Sequence, residues 1–193
     1  MPVEMNVAGH RDSTPQEYHT VFDLPIPKPR LEHSFRLACD LEPVRSLGEG
    51  VGGDGGHWVG FTGGHVSSTL FTARILPGGQ DSQHLLPASH PSAPLSCRVD
   101  TRYLLETSDG VYIEVRTRGW RTGKKEVLEK LSNAAKEGGG SEVPGPEEYK
   151  FRLSIEMETD SRNEKYAWLN QSLWIGSGMR SGRHVVYDAY LVE

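Results

Sequence analysis

Asp81 follows Pro77-Gly78-Gly79, a reversal in which proline donates no ladder hydrogen bond and the paired glycines allow a sharp turn. A carboxylate held beside apolar walls at such a rim has its pKa raised by the cost of burying its charge, and it becomes a general acid or base. The plainer reading of the same residue is a turn aspartate bonded to its own backbone. Tyr103 is the second group with chemistry to offer. Its phenol suits hydrogen-bond donation to a substrate oxygen, or a core position with a backbone partner. Thr117, Tyr149, Phe151, Trp168 and Asn170 supply candidate pocket walls and orienting groups, and Gln83 and His65 complete the candidate substrate-binding set. Singly, each reads as core or turn; only their combination outlines a site.

These residues must be positioned by strands, and the stretch from Thr101 to Gly119 is the clearest. A three-residue loop, Ser108-Asp109-Gly110 with Gly110 left-handed, sets Thr107 opposite Val111. Leu105 then faces Ile113, Tyr103 faces Val115 and Thr101 faces Thr117, while Arg102, Leu104, Glu106, Tyr112, Glu114 and Arg116 share the other face. A two-residue loop would mix charged and apolar groups on both faces. Alternation also predicts strands over Ser34 to Leu41, Tyr149 to Glu158, Ser172 to Ser177 and His184 to Val192. Trp58 to Thr62 and Val66 to Leu76 read as strands separated by a Gly63-Gly64 turn or bulge. Gly123 to Lys136 reads as the one helix, with Val127, Leu128, Leu131, Ala134 and Ala135 on a common face and Gly138 to Gly140 ending it. Tyr166 to Asn170 reads as a turn or a 3₁₀ segment.

The chain of 193 residues, with 22 Gly and 12 Pro, is rich in turns and long enough for one all-β core. The expected architecture is an antiparallel closed or nearly closed β-barrel of about eight to ten strands with one short helix. Residues 1–30 form an extended N-terminal arm, ending in a segment with three prolines, and residues 31–193 form the single barrel domain. A barrel of this size is filled by side chains or holds one small ligand.

Several function classes fall away. A net charge of -5 without a basic stripe argues against nucleic acid and against an anionic membrane surface. No apolar run suits a bilayer span or a signal core, which points to the cytoplasm. The glycine-rich stretch from Ser46 to His57 lacks the ending of a phosphate-binding loop and reads as a surface connection. His57 and His65 have no third ligand at a metal-site spacing, and Cys39 and Cys97 read as reduced, partly buried thiols.

The order of motifs resembles the DUF3237 (UPF0311) family. The pieces are Thr62-Gly63-Gly64, Leu76-Pro77-Gly78-Gly79 with Asp81 and Gln83, Arg102-Tyr103, Asp109-Gly110, Ile113 with Gly119, Tyr149 with Phe151-Arg152, and Tyr166-Ala167-Trp168-Leu169-Asn170 before a closing strand. The resemblance implies a compact barrel with an internal pocket, often a homodimer, with no metal or organic cofactor. A fungal branch of the family is associated with natural-product pathways, including intramolecular hydroalkoxylation of aromatic polyketides. The chain departs from the family pattern at Ser82, where Trp is usual, and at Thr117, where Asn is frequent; both positions are expected at the pocket. The resulting expectation is a cofactor-independent enzyme that closes a C–O ring on an aromatic, polyketide-like ligand, with Asp81 as acid/base and Tyr103 orienting or donating. The alternative is a non-catalytic small-molecule carrier with the same pocket.

Overall fold

The computed structural model describes residues 21–50, 55–86, 88, 90, 93–137 and 143–193. Ten strands form one antiparallel sheet: β1 (Leu31–Leu41), β2 (Arg45–Glu49), β3 (Gly55–Ser68), β4 (Thr72–Ile75), β5 (Gln80–Leu86), β6 (Leu95–Thr107), β7 (Tyr112–Gly123), β8 (Tyr149–Glu158), β9 (Trp174–Ser181) and β10 (His184–Val192). Helix α1 (Lys125–Glu137) follows β7, and a 3₁₀ helix, Ala167–Gln171, precedes β9. Strands β1, β10, β9, β8, β7 and β6 are successive neighbours, β4 and β5 both bridge β6 to β3, and β3 pairs with β1. Among the described residues the result is a closed eight-strand antiparallel barrel with two extra strands, against which α1 packs. Closure pairs both edges of the barrel strands, so no long row of unpaired backbone groups is left.

β4 and β5 share one place in the barrel, β4 beside residues 65–67 of β3 and β5 beside residues 55–60. The Pro77-Gly78-Gly79 reversal separates them, with Gly78 at φ 101°. The reversal returns the chain so that Asp81 and Gln83 point inward, where both are buried.

The β6–β7 hairpin has the register that its side chains demand. Leu105 faces Ile113, Tyr103 faces Val115 and Thr101 faces Thr117. Thr107 N–H donates to Val111 O at 2.9 Å, and Gly110 sits at φ 81° in the three-residue loop. In β8 every second residue from Tyr149 to Met157 is buried and the others are exposed, as the alternation predicts. Phe35, Leu37, Val99, Ile155 and Trp174 fill the middle of the core. At one end α1 lays Leu128 and Leu131 against the barrel; fully burying a leucine contributes about 1.5–3 kcal/mol. At the other end Tyr166 and Leu169 are buried around the 3₁₀ helix, where Phe71 and Tyr166 meet edge to face at 6.1 Å.

Four expectations are corrected or narrowed. The glycine-rich stretch is a hairpin rather than a plain connection: Ser46 pairs with His57 and Glu49 with Gly55, and residues 51–54 lie outside the described residues. Glycines carry no alternating side chains, so the backbone ladder that makes this hairpin left no periodic trace. Of the turn and the bulge expected at Gly63-Gly64 the structure has the bulge, because β3 runs through it with a register shift opposite Asp40 and Leu41. A Cβ on Gly64 would lie 2.2 Å from Ala38 O, which is why the close approach to β1 requires glycine there. The break falls instead at residues 69–71. The Pro/Ser-rich stretch 85–96, a loop by its composition, begins in strand, since Leu85 and Leu86 end β5 and pair with Cys97 and Ser96. Ser82, expected at the pocket, lies between inward Asp81 and Gln83 on the opposite phase and pairs with Trp58 and Asp100.

The expected helix end at Gly138 to Gly140 lies outside the described residues, as do residues 1–20 of the expected arm. Residues 25–30 have no regular structure, and Arg30 exchanges backbone hydrogen bonds with Glu193 at 2.8 and 3.0 Å. No described helix is long and apolar enough to cross a membrane.

Candidate functional site

The inward phase of β5, β6 and β7 carries polar groups where a plain barrel core would be aliphatic. Asp81 pairs with Thr101 and Thr101 with Thr117, so three polar side chains lie in one row across three strands. The threonine hydroxyls meet at 2.7 Å. Gln83 Nε2 donates to Asp81 Oδ2 at 2.5 Å, whereas Asp81 Oδ1 is buried without a partner. Gln83 Oε1 accepts in turn from Arg121 Nη2 at 3.1 Å, and that nitrogen lies 3.4 Å from Cys97 Sγ. The Arg121 guanidinium also sits over the Phe151 ring, 5.7 Å from its centroid.

Burial raises the Asp81 pKa, against the opposing effects of the Gln83 hydrogen bond and the Arg121 and Arg180 charges. Desolvation outweighs them because the carboxyl is far from water and keeps only one partner side chain. The same group is thus a better proton donor at neutral pH than an exposed aspartate.

Across the barrel the hydroxyls of Tyr103 and Tyr187 lie 2.5 Å apart. Burial pushes both phenols above their ordinary range, so both stay protonated near neutral pH. Their mutual bond uses one proton and leaves the other hydroxyl hydrogen for a further acceptor. Asp81, Thr101, Thr117, Tyr103, Tyr187, Arg121 and Phe151 border an inner cavity of about 30 Å³, enough for a water molecule.

A larger pocket of about 370 Å³ opens beneath α1, at the ends of β5, β6, β7 and β9. That is within the range of small-molecule sites. Leu85, Leu95, Leu128 and Leu131 form apolar walls, with Gln83, Arg121, Arg180, His57 and Glu129 as polar members. Arg121 lines both spaces and therefore stands between them. Arg180 is 2% exposed; its Nε donates to Gly182 O at 3.1 Å, its backbone N–H donates to Tyr149 Oη at 2.9 Å, and its Nη2 is buried without a partner. Burial first, and the Arg121 charge second, bring the Arg180 pKa down to about 10, which leaves it a cation at neutral pH. Among the described residues no three His, Cys, Asp or Glu side chains gather as a metal-holding group. Cys39 and Cys97 are free and buried, and burial pushes the Cys39 thiol up, so it stays protonated.

Of the candidate residues, Asp81, Tyr103, Thr117 and Phe151 meet at the inner cavity, and Gln83 joins them to the larger pocket. Tyr149 is buried beside them, holding the Arg180 backbone rather than a cavity wall. Three others lie elsewhere. His65 is exposed on the outward phase of β3, opposite Arg74, because Val66 takes the inward position. Trp168 and Asn170 belong to the far end of the barrel. The Trp168 ring packs on Trp174 at 5.8 Å, and Asn170 clamps Thr159 through bonds of 2.8 and 3.2 Å to its backbone. Their sequence neighbours Tyr166 and Leu169 turn inward, and the 3₁₀ geometry sends these two outward.

Arg121, Arg180, Tyr187 and Thr101 complete the site without having been candidates. The inward phase Ile113, Val115, Thr117 continues to Arg121, so period two was a usable signal for it. Arg180 follows two glycines in β9, where alternation is silent, and Tyr187 acquires its meaning only from the strand that faces it.

The family model described as "Protein of unknown function (DUF3237)" matches residues 29–192. A UPF0311 protein of Rhodopseudomonas palustris is 31% identical over 166 residues, covering 85% of this chain and 98% of that protein. The crystal structure of a conserved protein of unknown function from Rhodopseudomonas palustris superposes with a TM-score of 0.72 at 28% identity, covering 88% of this chain and 100% of that one. The crystal structure of an enzyme from Penicillium herquei shares the fold, with a TM-score of 0.57 at 20% identity over 88% of this chain and 98% of that one.

Proposed function

This chain belongs to the DUF3237 family, and from that premise we propose that it is a cofactor-independent acid/base enzyme of secondary metabolism, of the family's fungal natural-product branch, closing a C–O ring within an aromatic, polyketide-like substrate. The observation that carries this reading is the buried Asp81 carboxyl, with one oxygen held by Gln83 and the other unpartnered at an aromatic-lined cavity. The barrel is also one on which the Penicillium herquei enzyme is built.

The reaction is an isomerisation and needs only a proton in transit. Protonated Asp81 donates to one carbon of a substrate alkene as the π bond opens. The substrate hydroxyl oxygen bonds to the neighbouring carbon, and its proton returns to the Asp81 carboxylate. The free hydroxyl hydrogen of the Tyr103–Tyr187 pair holds a substrate oxygen, and Phe151 packs the ring. Substrate enters from beneath α1, and rotation of the Arg121 side chain joins the two spaces.

The small inner cavity favours one alternative, a carrier that holds its ligand in the larger pocket and never brings it to Asp81. Incubating purified protein with a panel of ortho-prenylated phenols, with and without a ring carboxylate, and following cyclic ether by chromatography, separates the two. An enzyme forms many equivalents of product, and Asp81→Asn lowers the rate by about 100-fold or more. Saturable binding without conversion, or full turnover by Asp81→Asn, rejects the acid/base assignment.

A further inference from the structure

Two guanidiniums, Arg121 and Arg180, line the pocket beneath α1, and both side chains are more than nine-tenths buried. Among the described residues no salt bridge reaches either of them. Arg121 spends its Nη2 on the Gln83 amide oxygen and Cys97 Sγ, and Arg180 spends its Nε on a backbone carbonyl. Arg180 Nη2 has no partner among the described residues. Among the described residues, Asp81 is the one buried carboxyl that acts on both cations. Glu129 lines the outer rim, is exposed, and lies 3.9 Å from Lys125. Even with Asp81 ionised, two buried cations face one anion, and a buried unmatched charge is costly unless a counter-charge arrives. A guanidinium presents planar paired donors suited to a carboxylate-like oxyanion. The four leucines of the same pocket supply walls for a carbon skeleton attached to it.

We infer that Arg180 and Arg121 form an oxyanion subsite, so that the ligand of this pocket is an aromatic molecule carrying a planar anionic group, a carboxylate or an ionised enol. The inference rests on the reading that this pocket admits the substrate, but not on catalysis by Asp81. It restricts the substrate class: neutral aromatic phenols lacking such a group are poor ligands. It also gives a trigger for joining the two cavities, because an oxyanion drawing on Arg121 competes with its bond to Gln83.

The test is calorimetric titration of the full chain with 2-naphthoate and with its neutral isostere 2-naphthamide. The carboxylate is expected to bind about tenfold tighter or more, the range of a charge-assisted hydrogen bond. Arg180→Gln removes that preference by weakening naphthoate more than naphthamide, and Arg180→Lys restores part of it. Equal affinities in the wild type, no binding of either probe, or an undiminished preference in Arg180→Gln overturns the inference. If Arg180→Gln does not fold, the wild-type affinity pair and Arg121→Gln decide. Ring closure without any oxyanion preference rejects the subsite alone, and oxyanion preference without ring closure rejects the catalytic reading alone.

Discussion

The hydroxyls of Tyr103 on β6 and Tyr187 on β10 meet at 2.5 Å inside the barrel, 84 residues apart in the chain. Each phenol is buried, and the two share one hydrogen bond. Tyr187→Phe strands the Tyr103 hydroxyl and is expected to cost about 1–3 kcal/mol, as is Tyr103→Phe. The double variant is expected to lose less than the sum of the two, by about 1 kcal/mol, since the second change removes a hydroxyl that is already unpaired. Urea unfolding of the four proteins measures this, and strict additivity would show that the hydroxyls do not bond.

Asp81 has a folded pKa raised above its unfolded value, near 3.8. Its contribution to stability is therefore fully present below that unfolded value and is lost as pH rises through the folded one. Asp81→Asn keeps the shape and has no charge to bury. The stability of the variant relative to wild type is expected to grow as pH is raised above the unfolded value, until the raised folded pKa is passed. Denaturation midpoints at several pH values check the trend; a flat difference would mean that Asp81 titrates as it does in the unfolded chain.

Gly119 occupies an inward position of β7 where β8 crosses closely. A Cβ there would lie 2.0 Å from Arg152 O and 2.9 Å from Leu153 Cα, both backbone atoms that cannot rotate away. Gly119→Ala is expected to destabilise by about 3 kcal/mol through overpacking. At Gly48, φ is +81° but nothing lies within 4 Å of the added carbon, so Gly48→Ala pays only the left-handed backbone cost of about 1–2 kcal/mol. Chemical unfolding of both variants tests the order, and a larger loss at Gly48 would contradict the close approach of β8.

Asp109 links the β6–β7 turn to the far end of the barrel. Its carboxylate accepts from Thr107 Oγ1 at 2.6 Å, Lys165 Nζ at 2.6 Å and Tyr166 Oη at 2.9 Å. The Lys165 bond, then the Thr107 and Tyr166 bonds, hold its pKa well below the usual carboxylate range. Its contribution is present above the unfolded value near 3.8 and is lost as pH falls through the depressed folded value. Asp109→Ala is expected to speed amide hydrogen exchange at Tyr166 and Leu169 at neutral pH, with β1 and β10 unchanged. Equal exchange in wild type and variant would show that the turn does not hold that end.

How far the fold could be read in advance depended on whether side chains alternated. Tyr149 to Met157 and Thr101 to Thr117 announce strand, face and, for the hairpin, register, because period two is written in residue types and the turn needs a glycine at φ 81°. Where glycines interrupt the alternation, around Gly48 and Gly56, strands held by backbone pairing leave no trace in the side chains. Trp168 and Asn170 were drawn into the candidate site by residue type alone, although a 3₁₀ turn aims each side chain by its own dihedrals and not by a strand's two faces.

By itself, the sequence determined the barrel class, the inward phase of Tyr103 and Thr117, and the reversal that delivers Asp81. Only the tertiary structure decided what Asp81 meets. Alternation says which side chains point inward, but not which of them share a level or which strand stands opposite. Closure of β3 on β1, and the placing of α1 over one mouth, bring Arg121, Arg180 and Tyr187 to the same interior from strands far apart in the chain. The chemistry of Asp81 follows from that convergence, because a carboxyl is tuned by its burial and by the charges around it, and both belong to the folded interior rather than to any local stretch.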